Sequence, residues 1–189
     1  MSERSRTRGG TAKSPLPRGN LRASLLRRLA ALLYENLLLA AVVLVAGFLL
    51  APIASLTMAP PTPASSLQIP ALPVRTFLFS ALFAIGAVYF TWSWTQGRRT
   101  LPMKTWHLRI TMRDGAPVGR NAALIRYLAV WIGPALALAA YVILAPTGHG
   151  RYALTFLAVG YLWALVDPDR QFLHDRIAGT RIVTDRSRP

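Results

Sequence analysis

The sequence predicts an all-α membrane protein, a bundle of four transmembrane helices of which the fourth is short, with a small cytoplasmic β-hairpin or strand pair. Hydrophobic residues occupy 53% of the 189 positions and the mean hydropathy is +0.36, which is too apolar for an ordinary soluble domain. These residues are concentrated in four long runs. Basic residues fill alternate connections between the runs, which is typical of a multi-pass membrane protein.

The first two runs are long enough to cross a bilayer. Leu29–Ala51 has 23 residues, and at about 1.5 Å per residue it exceeds the roughly 30 Å of hydrocarbon. It is also longer than the apolar region of a signal peptide, typically about 7 to 15 residues, so we expect a retained span. The second run, Val74–Trp94, ends in Tyr89, Trp92 and Trp94, aromatic residues that favour the headgroup level.

The third and fourth runs are less regular. Ala122–Ala145 carries Arg126 near its start and Gly133-Pro134 in its middle, where proline predicts a kink. Tyr152–Val166 has only 15 residues, so a re-entrant or tilted short helix competes with a full crossing, which we favour. We place the four spans at residues 29–51, 74–94, 122–145 and 150–166.

The placement of charge predicts the orientation. Of 22 Lys and Arg residues, eight lie in residues 1–28, six in 95–120 and five after Val166, so both termini are expected in the cytoplasm. Topology thus explains the net charge of +15, and we expect anionic lipid headgroups rather than nucleic acid as partners. Residues 1–22 are predicted to be a disordered basic tail, 23–185 the membrane domain, and 186–189 a second tail.

The connections differ in character. Residues 52–73 contain six prolines and no charge, which predicts an extended outer loop. In residues 106–113, Trp106, Leu108, Ile110 and Met112 alternate with polar residues, as in a half-buried strand, and Asp114-Gly115 is a turn signal. Residues 180–184 (TRIVT) form a second strand candidate. We expect the two strands to pair beneath the membrane, because each otherwise has an unpaired edge.

Two polar residues interrupt the first run about one third of the way along it, namely Glu35 and Asn36. A carboxylate at such depth is costly, so Glu35 is expected to be paired, protonated or facing water, unless the helix is shifted outward and Glu35 lies at the membrane edge. Arg28 precedes Glu35 by two helical turns and shares its face. It could anchor at the headgroups or reach toward the acid.

A second charged segment follows the fourth run. Asp167-Pro168-Asp169 predicts a helix start, with Asp167 as N-cap, and Gly179 is placed to end the short helix. Asp175 then lies at the cytoplasmic boundary, level with Arg27 and Arg28. We therefore predict an Arg28–Asp175 bridge that joins the two ends of the chain. The alternative is that His174, Asp175 and Arg176 form a solvated interfacial face.

Three segments resemble the RDD family, small bacterial membrane proteins named for one arginine and two aspartates. They are RRLAALLYENLLL, then TLPMKTWHLR with DGAP, then WALVDPDRQFLHDRIAGTRIV, within residues 24–183. The resemblance implies that Arg28 is the family arginine and Asp175 the second aspartate. Glu35 replaces the first aspartate, and Pro102 stands where the family has glycine before Met-Lys. It also implies a bacterial inner-membrane location and a suspected transport role, with cation/proton antiport proposed for some members.

Two functions remain open at this point. In the first, Glu35 exchanges a proton for a small cation, which in so short a chain requires a homo-oligomer. In the second, a charge network fixes the helices of an accessory protein that binds lipid or a protein partner. We expect no enzyme, because common catalytic motifs are absent, and no cofactor or metal, because the chain has no Cys and three scattered His. The candidate network comprises Arg28, Glu35, Asp175, Arg27, Asn36, Asp167, Asp169 and Arg176.

Overall fold

The computed structural model describes residues 23–55 and 71–185, which form a mostly helical chain with one small sheet. The predicted tails, 1–22 and 186–189, and most of the predicted outer loop lie outside the described residues. The elements are α1 (Leu25–Ser55), α2 (Leu72–Trp94), α3 (Leu101–Thr105), β1 (Leu108–Met112), α4 (Arg120–Val130), α5 (Ile132–Leu144), α6 (Val159–Val166), α7 (Leu173–Ile177) and β2 (Thr180–Thr184). Two 3₁₀ helices, Ala145–Thr147 and Gly150–Ala158, connect α5 to α6.

Three helical stretches are long and apolar enough to cross a membrane by length and composition: Leu25–Leu49, Leu72–Trp94 and Arg120–Thr147. A fourth apolar stretch, Gly150–Val166, is shorter. These four correspond to the four runs of the sequence. The helix α1 itself begins before the first run and includes the basic residues Arg27 and Arg28.

The third stretch is interrupted where proline predicts a kink. The α-helix stops after Val130, four residues before Pro134, and resumes at Ile132. Proline has no N–H, so it cannot donate the usual bond to the carbonyl four residues earlier. The chain tightens locally, and the Trp131 N–H donates to the Leu128 carbonyl at 3.1 Å.

The two predicted strands do pair. β1 and β2 are antiparallel, with Leu108 opposite Thr184 and Ile110 opposite Ile182. They are not a hairpin, because α4, α5 and α6 intervene in the chain. The strand predicted to begin at Trp106 begins at Leu108 instead. His107 has a positive φ of 51°, which a strand does not allow, and Trp106 is 38% exposed.

Most of the buried side chains lie at one end of the helices. Leu108, Ile110 and Ile182 of the sheet form one cluster with Ala123 and Tyr127 of α4. Ala23, just before α1, donates its N–H to the Ile182 carbonyl at 3.4 Å. We call this region the basal layer: α3, β1, β2, α7 and the first turns of α1 and α4. By contrast, only 6% of the most apolar 18 residues of α1 and none of those of α2 are buried.

Candidate functional site

The centre of the basal layer is a buried ion pair between α4 and α7. The Nη1 of Arg126 contacts the Oδ1 of Asp175, and the two side chains are 4% and 0% exposed. The same Nη1 donates to the Thr180 hydroxyl at 3.0 Å, and that hydroxyl donates to Asp175 Oδ1 at 3.4 Å. One arginine, one aspartate and one threonine therefore join α4, α7 and β2. The Arg126 guanidinium also lies 5.0 Å from the centre of the Trp94 ring at the end of α2.

His174 lies beside this pair in an aromatic setting. Its Nε2 is 3.9 Å from Asp175 Oδ2, and its ring packs near Phe172 and Tyr161. Burial, together with the positive charge of Arg126, holds the pKa of His174 well below its usual value. The imidazole is therefore neutral near pH 7. The alternative of a solvated face fails for His174 and Asp175, which are buried, and holds only for Arg176.

Asp175 has a different arginine from the one predicted. Arg28 is buried, at 3% exposure, and its Nη1 donates to the backbone carbonyl of Arg170 at 2.8 Å. Arg170 has a positive φ of 51° in the turn that precedes α7. Arg28 thus does connect α1 to the C-terminal segment, as predicted, but through a carbonyl rather than through the Asp175 carboxylate. The physical reason is that Arg126 approaches Asp175 from α4, which packs against α7.

The segment from Asp167 to Asp169 is a turn and not the predicted helix start. The Asp167 carboxylate accepts the N–H groups of Asp169 and Gln171, at 3.1 and 3.0 Å. These bonds close the turn, and α7 begins only at Leu173. Arg176 then reaches back, with its Nη1 3.3 Å from Asp169 Oδ2 and its Nε 3.7 Å from Asp167 Oδ1. Asp167, Asp169 and Arg176, three members of the predicted network, therefore lie together at this turn.

Glu35 has its contact elsewhere. Its Oε2 accepts a 2.7 Å hydrogen bond from the hydroxyl of Thr100, a buried residue that also caps the N-terminus of α3. Glu35 is thus joined to the segment after α2, whereas the sequence pointed to Arg28 as its neighbour. Asn36 is exposed and donates to the Leu32 carbonyl of its own helix at 2.8 Å. Arg27 is exposed and lies outside the cluster.

Three residues of the site were missed as partners from the sequence: Arg126, Thr180 and Thr100. Arg126 did give a signal, because it is the one basic residue within the third apolar run. From the sequence alone, however, Arg126 indicates only an irregularity of that run. The two threonines gave no signal, because threonine is an ordinary residue in the polar segments that connect the apolar runs.

A smaller ion cluster ties the end of β2 to β1. Asp185 Oδ2 lies 2.7 Å from Arg99 Nη1 and 3.2 Å from Arg109 Nη2. Arg98 instead stacks over Trp92, with its guanidinium carbon 4.8 Å from the ring centre. Across residues 23–55 and 71–185, no group of three His, Cys, Asp or Glu residues could hold a metal ion.

The sequence profile of the RDD family matches residues 22–179, which is most of the chain. The family match and the long apolar helices together point to a membrane protein. No curated protein and no solved structure matches this sequence.

Proposed function

Because the chain belongs to the RDD family, we propose that it is an integral protein of the bacterial inner membrane with both termini in the cytoplasm. We further propose an accessory role: the four apolar stretches hold the protein in the bilayer, and the basal layer binds anionic lipid headgroups at the cytoplasmic surface. The observation that carries this proposal is the buried Arg126–Asp175 pair, which joins α4 to α7 within the basal layer.

The length of α1 supports a boundary near Glu35. The helix has 31 residues and is about 46 Å long, whereas the hydrocarbon needs only about 20 residues, or roughly 30 Å. One face of the N-terminal turns is attached to the basal layer, because Ala23 bonds to β2 and Arg28 to Arg170. We place the membrane crossing of α1 in its remaining 20 residues, 36–55, which suffice by length. Glu35 then lies at the membrane edge, which was the alternative reading of its position.

The third apolar stretch supports the same boundary. Arg120–Thr147 has 28 residues, about 42 Å of helix, so roughly 20 residues from its C-terminal end suffice to cross. Its first turns pack in the basal layer, where Ala123 is completely buried. Arg126 then lies just below the hydrocarbon, where burying a paired charge is less costly than at the bilayer centre.

The surface of the basal layer is strongly basic. Asp114 is the one exposed acid among residues 23–55 and 71–185, while the other acids accept bonds from neighbouring groups. The exposed basic residues of this layer are Arg27, Lys104, Arg113, Arg120, Arg170 and Arg176. Each Lys or Arg near an anionic leaflet contributes about 1 kcal/mol of attraction.

Lipid association in reconstituted membranes tests this proposal. Spin-labelled phosphatidylglycerol is expected to associate with the protein several-fold more strongly than spin-labelled phosphatidylcholine, and added salt should weaken the preference. The Lys104→Gln/Arg113→Gln variant should lose part of it. Arg151→Gln is the matched control, because Arg151 is exposed at the opposite end of the apolar helices. Equal association of the two lipids would contradict the accessory role.

One observation favours a second candidate, cation/proton exchange. The Glu35 carboxylate is bound by a hydroxyl group, so a proton or small cation can replace that donor without separating an ion pair. A homo-oligomer would have to complete the pathway. In proteoliposomes with a trapped pH dye, Na⁺, K⁺ or Li⁺ should then change the internal pH with the wild type and not with Glu35→Gln. No response with folded wild-type protein excludes this candidate.

A further inference from the structure

The fourth apolar stretch has an unusual helix type in its first half. Gly150–Ala158 is a 3₁₀ helix of nine residues, and the α-helix α6 continues it for eight more. Most 3₁₀ helices are no longer than about 3 or 4 residues, because their hydrogen bonds are poorly aligned. The bonds here join residues three apart: Tyr152 N–H donates to the His149 carbonyl at 3.0 Å, and Val159 N–H donates to the Phe156 carbonyl.

The length of this stretch explains why the helix type matters. Seventeen residues of α-helix would extend only about 26 Å, short of the roughly 30 Å of hydrocarbon. A 3₁₀ helix rises about 2.0 Å per residue, so nine such residues and eight α-helical ones extend about 30 Å. We infer that Gly150–Val166 crosses the membrane completely, and that it does so because its first half is stretched into a 3₁₀ helix.

Two close contacts with α5 hold the stretched form. A Cβ on Gly133 would lie 3.0 Å from the Leu157 carbonyl oxygen, so the two backbones touch at that point. A Cβ on Gly150 would lie 3.2 Å from the Ala145 Cα and 3.0 Å from the Tyr141 ring. The contacts place the two segments antiparallel and fix both ends of the 3₁₀ helix against α5.

The spacing of these contacts favours the longer helix. Gly133 in α5 and Ala145, the residue that follows α5, are twelve residues apart, about 18 Å of helix. The facing chain between Gly150 and Leu157 covers about 14 Å as a 3₁₀ helix but only about 10 Å as an α-helix. The 3₁₀ form therefore matches its neighbour better. Thr155 adds to it, because its hydroxyl donates to the Tyr152 carbonyl at 2.7 Å.

The inference rests on the proposed membrane location, and pulsed EPR can test the helix separately from it. The chain has no cysteine, so paired cysteines can be labelled specifically. Arg151 and Val166 are both exposed. Their backbones should be about 26 Å apart in the hybrid helix and about 22 Å apart in an α-helix. Labels at Leu72 and Val88 of α2 calibrate the measurement, since an α-helix sets their backbones about 24 Å apart.

In lipid vesicles, with label rotamers taken into account, we expect the longer of the two Arg151–Val166 distances. The shorter distance overturns the inference. Membrane-impermeant paramagnetic reagents give the second readout: the label at 151 should be reached from one side of the bilayer and the label at 166 from the other. Access to both from the same side also overturns it. If a label at Leu82 of α2 is itself accessible to these reagents, the membrane location has failed, whatever the helix length.

Discussion

The basal layer and the apolar helices are held together by different means. In the basal layer, charged and polar side chains are buried or half-buried and are bonded to residues far away in the sequence, as in Arg126–Asp175 and Glu35–Thr100. Beyond it, α1 and α2 expose most of their described apolar side chains. Among residues 23–55 and 71–185, the core therefore lies at one end, and exposed apolar helices of this kind need a bilayer around them. We expect the folded state to be sensitive to the loss of either partner of a buried ion pair in that core.

The strongest way to break the basal layer is to remove one partner of its central pair. Asp175→Asn leaves the Arg126 charge buried without a counter-ion, and we expect a loss of about 3 to 5 kcal/mol in the free energy of unfolding. Unfolding in mixed micelles with increasing SDS measures it. Asp114→Asn is the matched control, because Asp114 is exposed and its replacement keeps the oxygen that accepts the Ala116 N–H. A similar, small effect of both variants would contradict the prediction.

A second variant tests the attachment of α1. Arg28→Gln removes the charged donor to the Arg170 carbonyl in a buried setting, so we expect a loss of about 2 kcal/mol in the same assay. Arg27→Gln changes the exposed neighbour and should change stability little. If Arg27→Gln lowers the free energy of unfolding as much as Arg28→Gln does, the Arg28–Arg170 hydrogen bond is not what attaches α1 to the basal layer.

A third variant tests the packing of the apolar helices by the same measure. Gly133→Ala places a methyl group against the Leu157 carbonyl, so one backbone must shift, and we expect a loss of about 1 to 2 kcal/mol. Gly160→Ala is the control within the same helical hairpin, because nothing lies within 4 Å of its Cβ position. Since alanine favours helix more than glycine, Gly160→Ala should be neutral or stabilising. The reverse order of the two variants would refute the close contact.

The smallest effect concerns pH. The folded protein keeps His174 neutral, whereas in the unfolded chain the imidazole titrates near its ordinary pKa of about 6.5. Below that pH the unfolded state binds more protons, so stability falls as the pH falls toward the depressed folded pKa. We expect a loss of about 1 kcal/mol between pH 7 and pH 5.5 that is absent in His174→Gln. His149→Gln, which changes an exposed histidine, should keep the dependence.

Local features of the fold could be predicted from the sequence. Apolar alternation and β-branched residues predicted β1 and β2, and Pro134 predicted the interruption of the third stretch, because both depend on neighbouring residues. The helix type of Gly150–Ala158 could not be predicted, since an apolar sequence of this length suits a 3₁₀ or an α-helix. Packing on α5 selects between them.

The sequence pointed to several residues of the site but not to the partners that they contact. Asp175, Arg28 and Glu35 are all in contacts between elements, but their partners are Arg126, a backbone carbonyl and Thr100. Pairing depends on which helix ends meet in the basal layer, and a single sequence does not contain that information. Arg126 rather than Arg28 reaches Asp175, because α4 packs on α7.

The measurement that tests the central role of the pair most directly is a double-mutant cycle with Arg126→Met, Asp175→Leu and the combined variant, using the free energy of unfolding in bilayer-mimicking micelles. Each single variant leaves one buried charge uncompensated, so each should be less stable than the double variant, with a coupling of about 2 kcal/mol or more. Losses that simply add would show that Arg126 and Asp175 do not stabilise the basal layer as a pair.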